Sequence, residues 1–181
     1  NIIETIQKEK IDGNYSLKPT MFGLLIDKDI CYQYIREIVA TAAKYNNFIR
    51  IDMEDSQCVD LEIEMYRKLK AEFPKNVGLV VQAYLKRTYK DLENMMDLHS
   101  KEVPLNYRLC KGIYVEPEAI AFKQRGEVQD NYKLLNALAL REGVYVGIAT
   151  HDEVLIQHGI ETVKRLGLKR EQYEFQMLLG V

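Results

Sequence analysis

Cysteine is scarce. Cys31, Cys58 and Cys110 lie far apart among the 181 residues, and no Cys-x-x-Cys or Cys/His pair has metal-ligand spacing. That argues against a zinc site and a disulfide framework, and it predicts a reducing compartment. Charge of one sign is not in excess. The 25 basic and 27 acidic residues leave a net charge of −2, which gives nucleic acid no electrostatic reason to bind. No run of about 18 apolar residues occurs, so no membrane-spanning helix is expected. No signal-peptide pattern is visible. The Gly-x-Gly-x-x-Gly fingerprint, the P-loop and the Gly-x-Ser-x-Gly elbow are all missing. No low-complexity linker interrupts the chain, so one domain over residues 1–181 is expected.

What is present is a core-forming composition, 47% hydrophobic and 29% charged. Candidate strands begin near Tyr15, Phe48, Val77, Tyr107, Tyr145 and Tyr173, about 30 residues apart. Helical spacing recurs between them. Ile30, Tyr34, Ile38 and Ala42 form one stripe, and Val59, Ile63, Tyr66 and Leu69 another. Tyr132, Leu135 and Leu138 form a third, and Ile156, Ile160 and Val163 a fourth, closed by Gly167 as a C-cap. Strand alternating with helix predicts an α/β fold with a parallel sheet and right-handed crossovers. Two architectures fit: a doubly wound sheet, or a (β/α)8 TIM-type barrel represented here by about six of its strand–helix units. A full barrel takes about 250 residues.

Alternation favours the barrel. Arg50 and Asp52 share one face of their strand, Arg108 and Cys110 share one face of theirs, and Glu174 and Gln176 oppose Tyr173 and Phe175. A doubly wound sheet buries both faces and reads apolar throughout. Polar side chains pointing into a barrel mouth account for the pattern, with Arg50 and Arg108 expected to pair with Asp52 and Glu174.

Candidate chemistry sits at strand exits. Asp52 reads as a substrate-orienting or acid–base carboxylate. Glu54 and Asp55 read as acids favouring the next helix's N-terminus. Arg108, Lys111 and Lys18 supply positive charge suited to a carboxylate or diphosphate, whereas Lys86 and Arg87 read as a solvated rim. Ala149-Thr-His-Asp follows a strand and opens a helix, where backbone amides can bind phosphate, and His151 stands at that exit. His99 and His158 fall in helical patterns and read as surface residues. The residues alone predict an enzyme-like barrel with an anion-binding mouth. A barrel enzyme for a phosphorylated substrate, held by Arg108 and Lys111, and a non-catalytic barrel fragment are the alternatives.

Six segments closely resemble the proline dehydrogenase family, in its order and at its spacing. They are Ser16-Leu-Lys-Pro-Thr, Arg50-Ile-Asp-Met-Glu-Asp-Ser, Val81-Gln-Ala-Tyr-Leu-Lys-Arg, Arg108-Leu-Cys-Lys-Gly-Ile-Tyr, Ala149-Thr-His-Asp and Tyr173-Glu-Phe-Gln-Met-Leu-Leu-Gly. The resemblance implies a distorted (β/α)8 barrel with FAD bound non-covalently at the strands' C-terminal ends. It implies hydride transfer from L-proline to flavin N5, giving Δ1-pyrroline-5-carboxylate, with electrons passed to a quinone. By the same resemblance Gln82, Arg108, Cys110, Lys111 and Gly112 are flavin contacts, and Thr150, His151 and Asp152 reach the FAD further along. Lys18, Asp52, Tyr114 and Leu178 are its implied substrate contacts, with Arg108 beside N5. No metal is implied.

The chain departs from the family at Ile113 and Val115, where many members have Ala and Trp, and at Leu179, which replaces a common aromatic or His. The resemblance also implies a strand before Asn1, and after Val181 an eighth strand and a helix with an arginine pair. On that reading residues 1–181 are a core fragment with weak or no turnover, and the full-length protein is active. A cytoplasmic location in peripheral contact with the bacterial inner membrane is expected, or the mitochondrial matrix for a eukaryotic source.

Overall fold

The computed structural model describes residues 2–180. The chain divides into two compact units, one up to Leu79 and one from Val80 onward. The division falls inside a strand, which is why no linker marks it in the sequence.

The first unit holds α1 (Ile2–Lys8), β1 (Tyr15–Leu17), α2 (Lys28–Lys44), β2 (Ile49–Ile51), α3 (Val59–Glu72) and the entry half of β3 (Val77–Gln82). β1 pairs in parallel with β2, Tyr15 opposite Ile49, and β2 with β3, Ile49 opposite Val77. α2 starts where Asp27 accepts hydrogen bonds from the Asp29 and Ile30 amides, a side-chain N-cap. Its buried stripe is Cys31, Ile35, Val39 and Ala42. The expected stripe lay one residue earlier, but Ile30 and Tyr34 are 52% and 55% exposed. Two neighbouring stripes of this helix are apolar, and one residue is a rotation of about 100°. Composition cannot choose between them.

The second unit holds the exit half of β3, then α4 (Thr88–Met95), β4 (Asn106–Cys110), α5 (Arg125–Arg141), β5 (Tyr145–Ala149), α6 (Glu153–Arg165) and β6 (Tyr173–Gln176). β4 pairs in parallel with β5, Asn106 opposite Tyr145, and β5 with β6, Val146 opposite Tyr173. α6 repeats the correction seen in α2. Leu155, Gly159, Thr162 and Val163 are buried, while Ile156 and Ile160 are half-buried. Gly159 shows the cause, since a Cβ there would lie 3.2 Å from the Phe175 ring and 3.3 Å from Ile148. Close packing on β5 and β6 selects the face that carries the smallest residue.

Strand order in the sheet follows chain order, β1 to β6. A doubly wound sheet reverses at a switch point, and this order has none. The succession of units is that of a (β/α) barrel, as the charged strand faces predict. Observed strand starts differ from the expected ones by at most one residue, with β2 at Ile49 and β4 at Asn106. Among the described residues, no helix is long and apolar enough to cross a membrane, and no group of three His, Cys, Asp or Glu could hold a metal.

Candidate active site

In the first unit the chain leaves β1 at Leu17 and β2 at Ile51, so Lys18 and Asp52 emerge at the same end of two paired parallel strands. The Asp52 amide donates to the Leu17 carbonyl at 2.8 Å, extending the ladder by one bond. Lys18 Nζ then donates to Asp52 Oδ2 at 3.0 Å. Arg50 is fully buried on β2, its guanidinium 5.0 Å from the Phe48 ring centre.

Beyond Asp52 the loop departs from expectation. α3 begins at Val59, so Glu54 and Asp55 lie outside its first turn, where Asp60 and Glu62 stand instead. Glu54 is buried and accepts from the Thr20 amide at 2.9 Å and from Thr20 Oγ1 at 2.6 Å. Its own amide donates to both carboxyl oxygens of Glu62, at 3.2 and 3.1 Å. Burial pushes the Glu62 carboxyl up to about 8 against the pull of that hydrogen bond, and the charges of Glu54, Asp55 and Asp52 push the same way. Asp55 accepts from Gln57 Nε2 at 2.9 Å.

The second unit gathers its polar groups around a cavity of about 330 Å³ lined by Arg108, Cys110, Thr150, His151, Gln176 and Leu178, among others. Arg108 Nε donates to Gln176 Oε1 at 2.6 Å, and Gln176 Nε2 donates to Glu174 Oε1 at 2.5 Å. Gln176 therefore stands between the arginine and the glutamate that the sequence set against each other. Gly147 on β5 makes room for it, because a Cβ there would meet the Gln176 amide nitrogen at 2.7 Å. His151 is exposed, and its Nε2 accepts the Leu178 amide at 2.9 Å, pinning the chain after β6. Gln82 ends β3 with 2% exposure, and its carbonyl accepts from Thr88 Oγ1 at 2.6 Å. Cys110 Sγ lies 3.6 Å from the Val81 carbonyl.

Asp152 caps α6 by accepting from the Val154 amide at 3.2 Å. Its carboxylate also accepts from Gln129 Nε2 at 3.1 and 3.0 Å, from Lys111 Nζ at 3.4 Å and from Arg125 Nη2 at 3.3 Å. Burial alone would raise this acid. The Gln129 hydrogen bonds and the two cations outweigh it and hold Asp152 below the ordinary carboxylate range. The helix start is thus occupied by the protein's own anion. Lys111 and Arg125 are the cations on that anion. Gln176 was expected on the polar face of its strand, and the structure adds its partner Arg108; Gln129, Arg125 and Gly147 were not singled out from sequence, since only the tertiary fold brings them to this rim.

Gly112 follows Lys111 at φ +106, and a Cβ there would lie 2.1 Å from the Tyr84 ring. No other residue fits this close approach. Tyr114 is half-buried, and Ile113 is 86% exposed and does not line the cavity. Lys86 donates to the Glu118 carbonyl at 2.7 Å and Arg87 to Asp91 at 2.7 Å, a solvated rim as expected. The two remaining histidines are half-buried instead of lying on the surface. His99 Nδ1 accepts the Leu105 amide, and burial lowers His158 from its ordinary value.

Chemically, the second unit offers an aligned guanidinium, an apolar wall at Met177 and Leu178, and a cation pair a short way along the rim. These suit a flat conjugated ring with polar edges carrying a phosphorylated tail. A flavin dinucleotide has that form, so the donor set fits it.

The sequence profile described as proline dehydrogenase matches residues 1–181. Proline dehydrogenase 2 of Bacillus subtilis (strain 168) is 36% identical over 179 residues, which cover 99% of this chain and 57% of that protein. The proline dehydrogenase of Deinococcus radiodurans is 35% identical over 184 residues, 99% of this chain and 58% of that protein. The chain thus spans a little over half the length of these relatives. Proline utilization A from Bdellovibrio bacteriovorus, solved after inactivation by N-propargylglycine, superposes with a TM-score of 0.88 at 22% identity. That match covers 99% of this chain and 23% of the other, and it identifies the fold as that protein's barrel.

Proposed function

Because the chain belongs to the proline dehydrogenase family, we propose that the protein containing it oxidises L-proline to Δ1-pyrroline-5-carboxylate. FAD is the proposed cofactor and a quinone the final acceptor, met at peripheral contact between a cytoplasmic protein and the bacterial inner membrane. When bound, FAD supplies a two-electron acceptor for the hydride that leaves the ring carbon beside nitrogen. The nitrogen lone pair forms the carbon–nitrogen double bond as the hydride departs, so the ammonium must first lose a proton to solvent, and the iminium then releases its N–H proton to give the imine.

The chain's own residues orient and select. Lys18 draws in the proline carboxylate, and Asp52 holds the Lys18 ammonium in place through the 3.0 Å contact. Tyr114 and Leu178 bound the apolar ring. Arg108, hydrogen-bonded to Gln176, would donate to a bound flavin, and Gln82, Cys110 and Gly112 would help hold its ring system. Lys111 meets the diphosphate together with Arg125. Thr150 and His151 line the far part of the same cavity. Asp152, itself an anion, is assigned to arranging the two cations.

The observation that supports this reading is the Arg108–Gln176 hydrogen bond, both partners of which line the cavity. The test is a visible spectrum of the purified full-length protein, with and without L-proline. A flavin band that bleaches on adding proline is expected. A colourless protein that cannot take up FAD counts against the proposal, and one that binds phosphate without flavin absorbance favours a phosphorylated substrate instead.

A further inference from the structure

We infer that Glu54, anchored by Glu62 and acting through Thr20, is a positioning residue that sets where the Lys18 ammonium stands. The inference rests on the substrate-carboxylate role proposed above for Lys18.

Lys18 and Asp52 sit on separate loops, after β1 and after β2. Their ion pair is 3.0 Å long but partly exposed, with side chains 40% and 19% accessible. A pair that open to water orients the ammonium but cannot by itself fix the two loops that carry it. The Asp52 amide on the Leu17 carbonyl ties the loops where they leave the strands, and a second tie lies further out. Two residues beyond each partner, Thr20 and Glu54 make a fork: both carboxylate oxygens of Glu54 are engaged, one by the Thr20 amide and one by its hydroxyl. Such bidentate, charge-assisted contacts fix orientation as well as distance. Between Thr20 and Lys18 lies only Pro19, whose ring locks φ. Its carbonyl is contacted by Cys31 Sγ of α2 at 3.4 Å.

Glu54 is held from the other side. Its amide points at the Glu62 carboxyl, which projects fully buried from the first turn of α3. The path runs from a helix through two carboxyl groups to Thr20, two residues from Lys18, all inside the first unit. Two buried acids are a costly way to join loops that an apolar contact would hold. What they add is direction, and a misplacement of about 1 Å at a reacting group is enough to cost a hundredfold in rate.

The experiment uses the full-length, FAD-loaded protein and four variants: Thr20→Val, Thr20→Ser, Glu54→Ala and Lys18→Met. Each is assayed for proline KM and kcat, FAD content by absorbance, and melting temperature. Thr20→Val is expected to raise KM for L-proline by about tenfold, with FAD content near that of the parent and the melting temperature lowered by only the few degrees that one lost charge-assisted hydrogen bond costs. Thr20→Ser, which keeps the hydroxyl, is expected to restore the parental KM, and Glu54→Ala to exceed the Thr20→Val effect. If Thr20→Val and Thr20→Ser share the parental KM while Lys18→Met raises it, the positioning role is overturned and the Lys18 assignment survives. If Lys18→Met leaves KM unchanged, the substrate reading fails and this inference with it. Because Thr20 is half-buried, its two variants decide the matter even if Glu54→Ala does not fold.

Discussion

Asp52 carries two duties that a single substitution can separate. Its amide belongs to the ladder between β1 and β2, and its carboxylate belongs to Lys18. Asp52→Ala keeps the first and removes the second. Lys18 then loses its 3.0 Å partner and swings on a flexible stem, so the cost falls on substrate orientation. Proline turnover is expected to fall by about tenfold or more, while bound FAD per protein changes little. Steady-state kinetics beside the absorbance ratio of flavin to protein measures both. Equal losses in the two quantities would make Asp52 a structural residue.

At the scale of one element, α3 has an unusual feature in that it buries two ionisable side chains, Glu62 and Lys70. Burial raises Glu62 from 4.5 to about 8 and lowers Lys70 from 10.5 to about 8. Between pH 4.5 and 8 the folded chain keeps a proton on Glu62 that the unfolded chain has released. Stability contributed by this helix therefore falls as pH rises through that window. Between 8 and 10.5 the unfolded chain keeps a proton on Lys70 that the folded chain has lost, so stability rises again. Each slope is at most about 1.4 kcal/mol per pH unit. Urea unfolding from pH 5 to 10 is expected to show a minimum near pH 8. Glu62→Gln, which still offers a carbonyl to the Glu54 amide, is expected to flatten the acid side alone. A parent curve with no dip between pH 5 and 10 would rule this out. α3 also shows what can and cannot be read in advance. Its helical period was legible in Val59, Tyr66 and Leu69, but nothing in the sequence marks Glu62 and Lys70 as buried, because a single helix does not announce what covers it. α2 and α6 were legible as helices yet turned by one residue, since contacts with the sheet choose the face. Strand exits were legible from charge after apolar runs, which located Lys18, Asp52, Arg108 and Lys111. Gln176 was legible as an inward polar residue, but its pairing with Arg108, 68 positions away, was not, and Gln129, 23 positions from Asp152, gave no signal.

For the whole molecule, the cofactor reading has a thermodynamic consequence independent of turnover. A ligand that binds only the folded state stabilises it by mass action, about 2.7 kcal/mol at a hundredfold excess over its dissociation constant. The groups assigned to FAD are spread over β3, β4, the segment after β4, the start of α5 and the segment after β5, so its binding draws on much of the second unit. Their charge supports an anionic tail, because Lys111 and Arg125 together outnumber the single carboxylate of Asp152 between them. Stripping FAD from the full-length protein is expected to lower its melting temperature by about 5 °C or more, and adding FAD back should restore it in a concentration-dependent way. Lys111→Ala should shift that titration to higher FAD concentration while leaving the melting temperature of the stripped protein nearly unchanged, since Lys111 is half-exposed and its contact with Asp152 is long at 3.4 Å. Calorimetry with inorganic diphosphate as a second ligand tells the sources of stabilisation apart. Stabilisation by FAD well beyond that by diphosphate requires the ring pocket as well as the cation pair. Equal stabilisation by both would leave only the cation pair, and the cavity beside Arg108 would have no part in flavin binding.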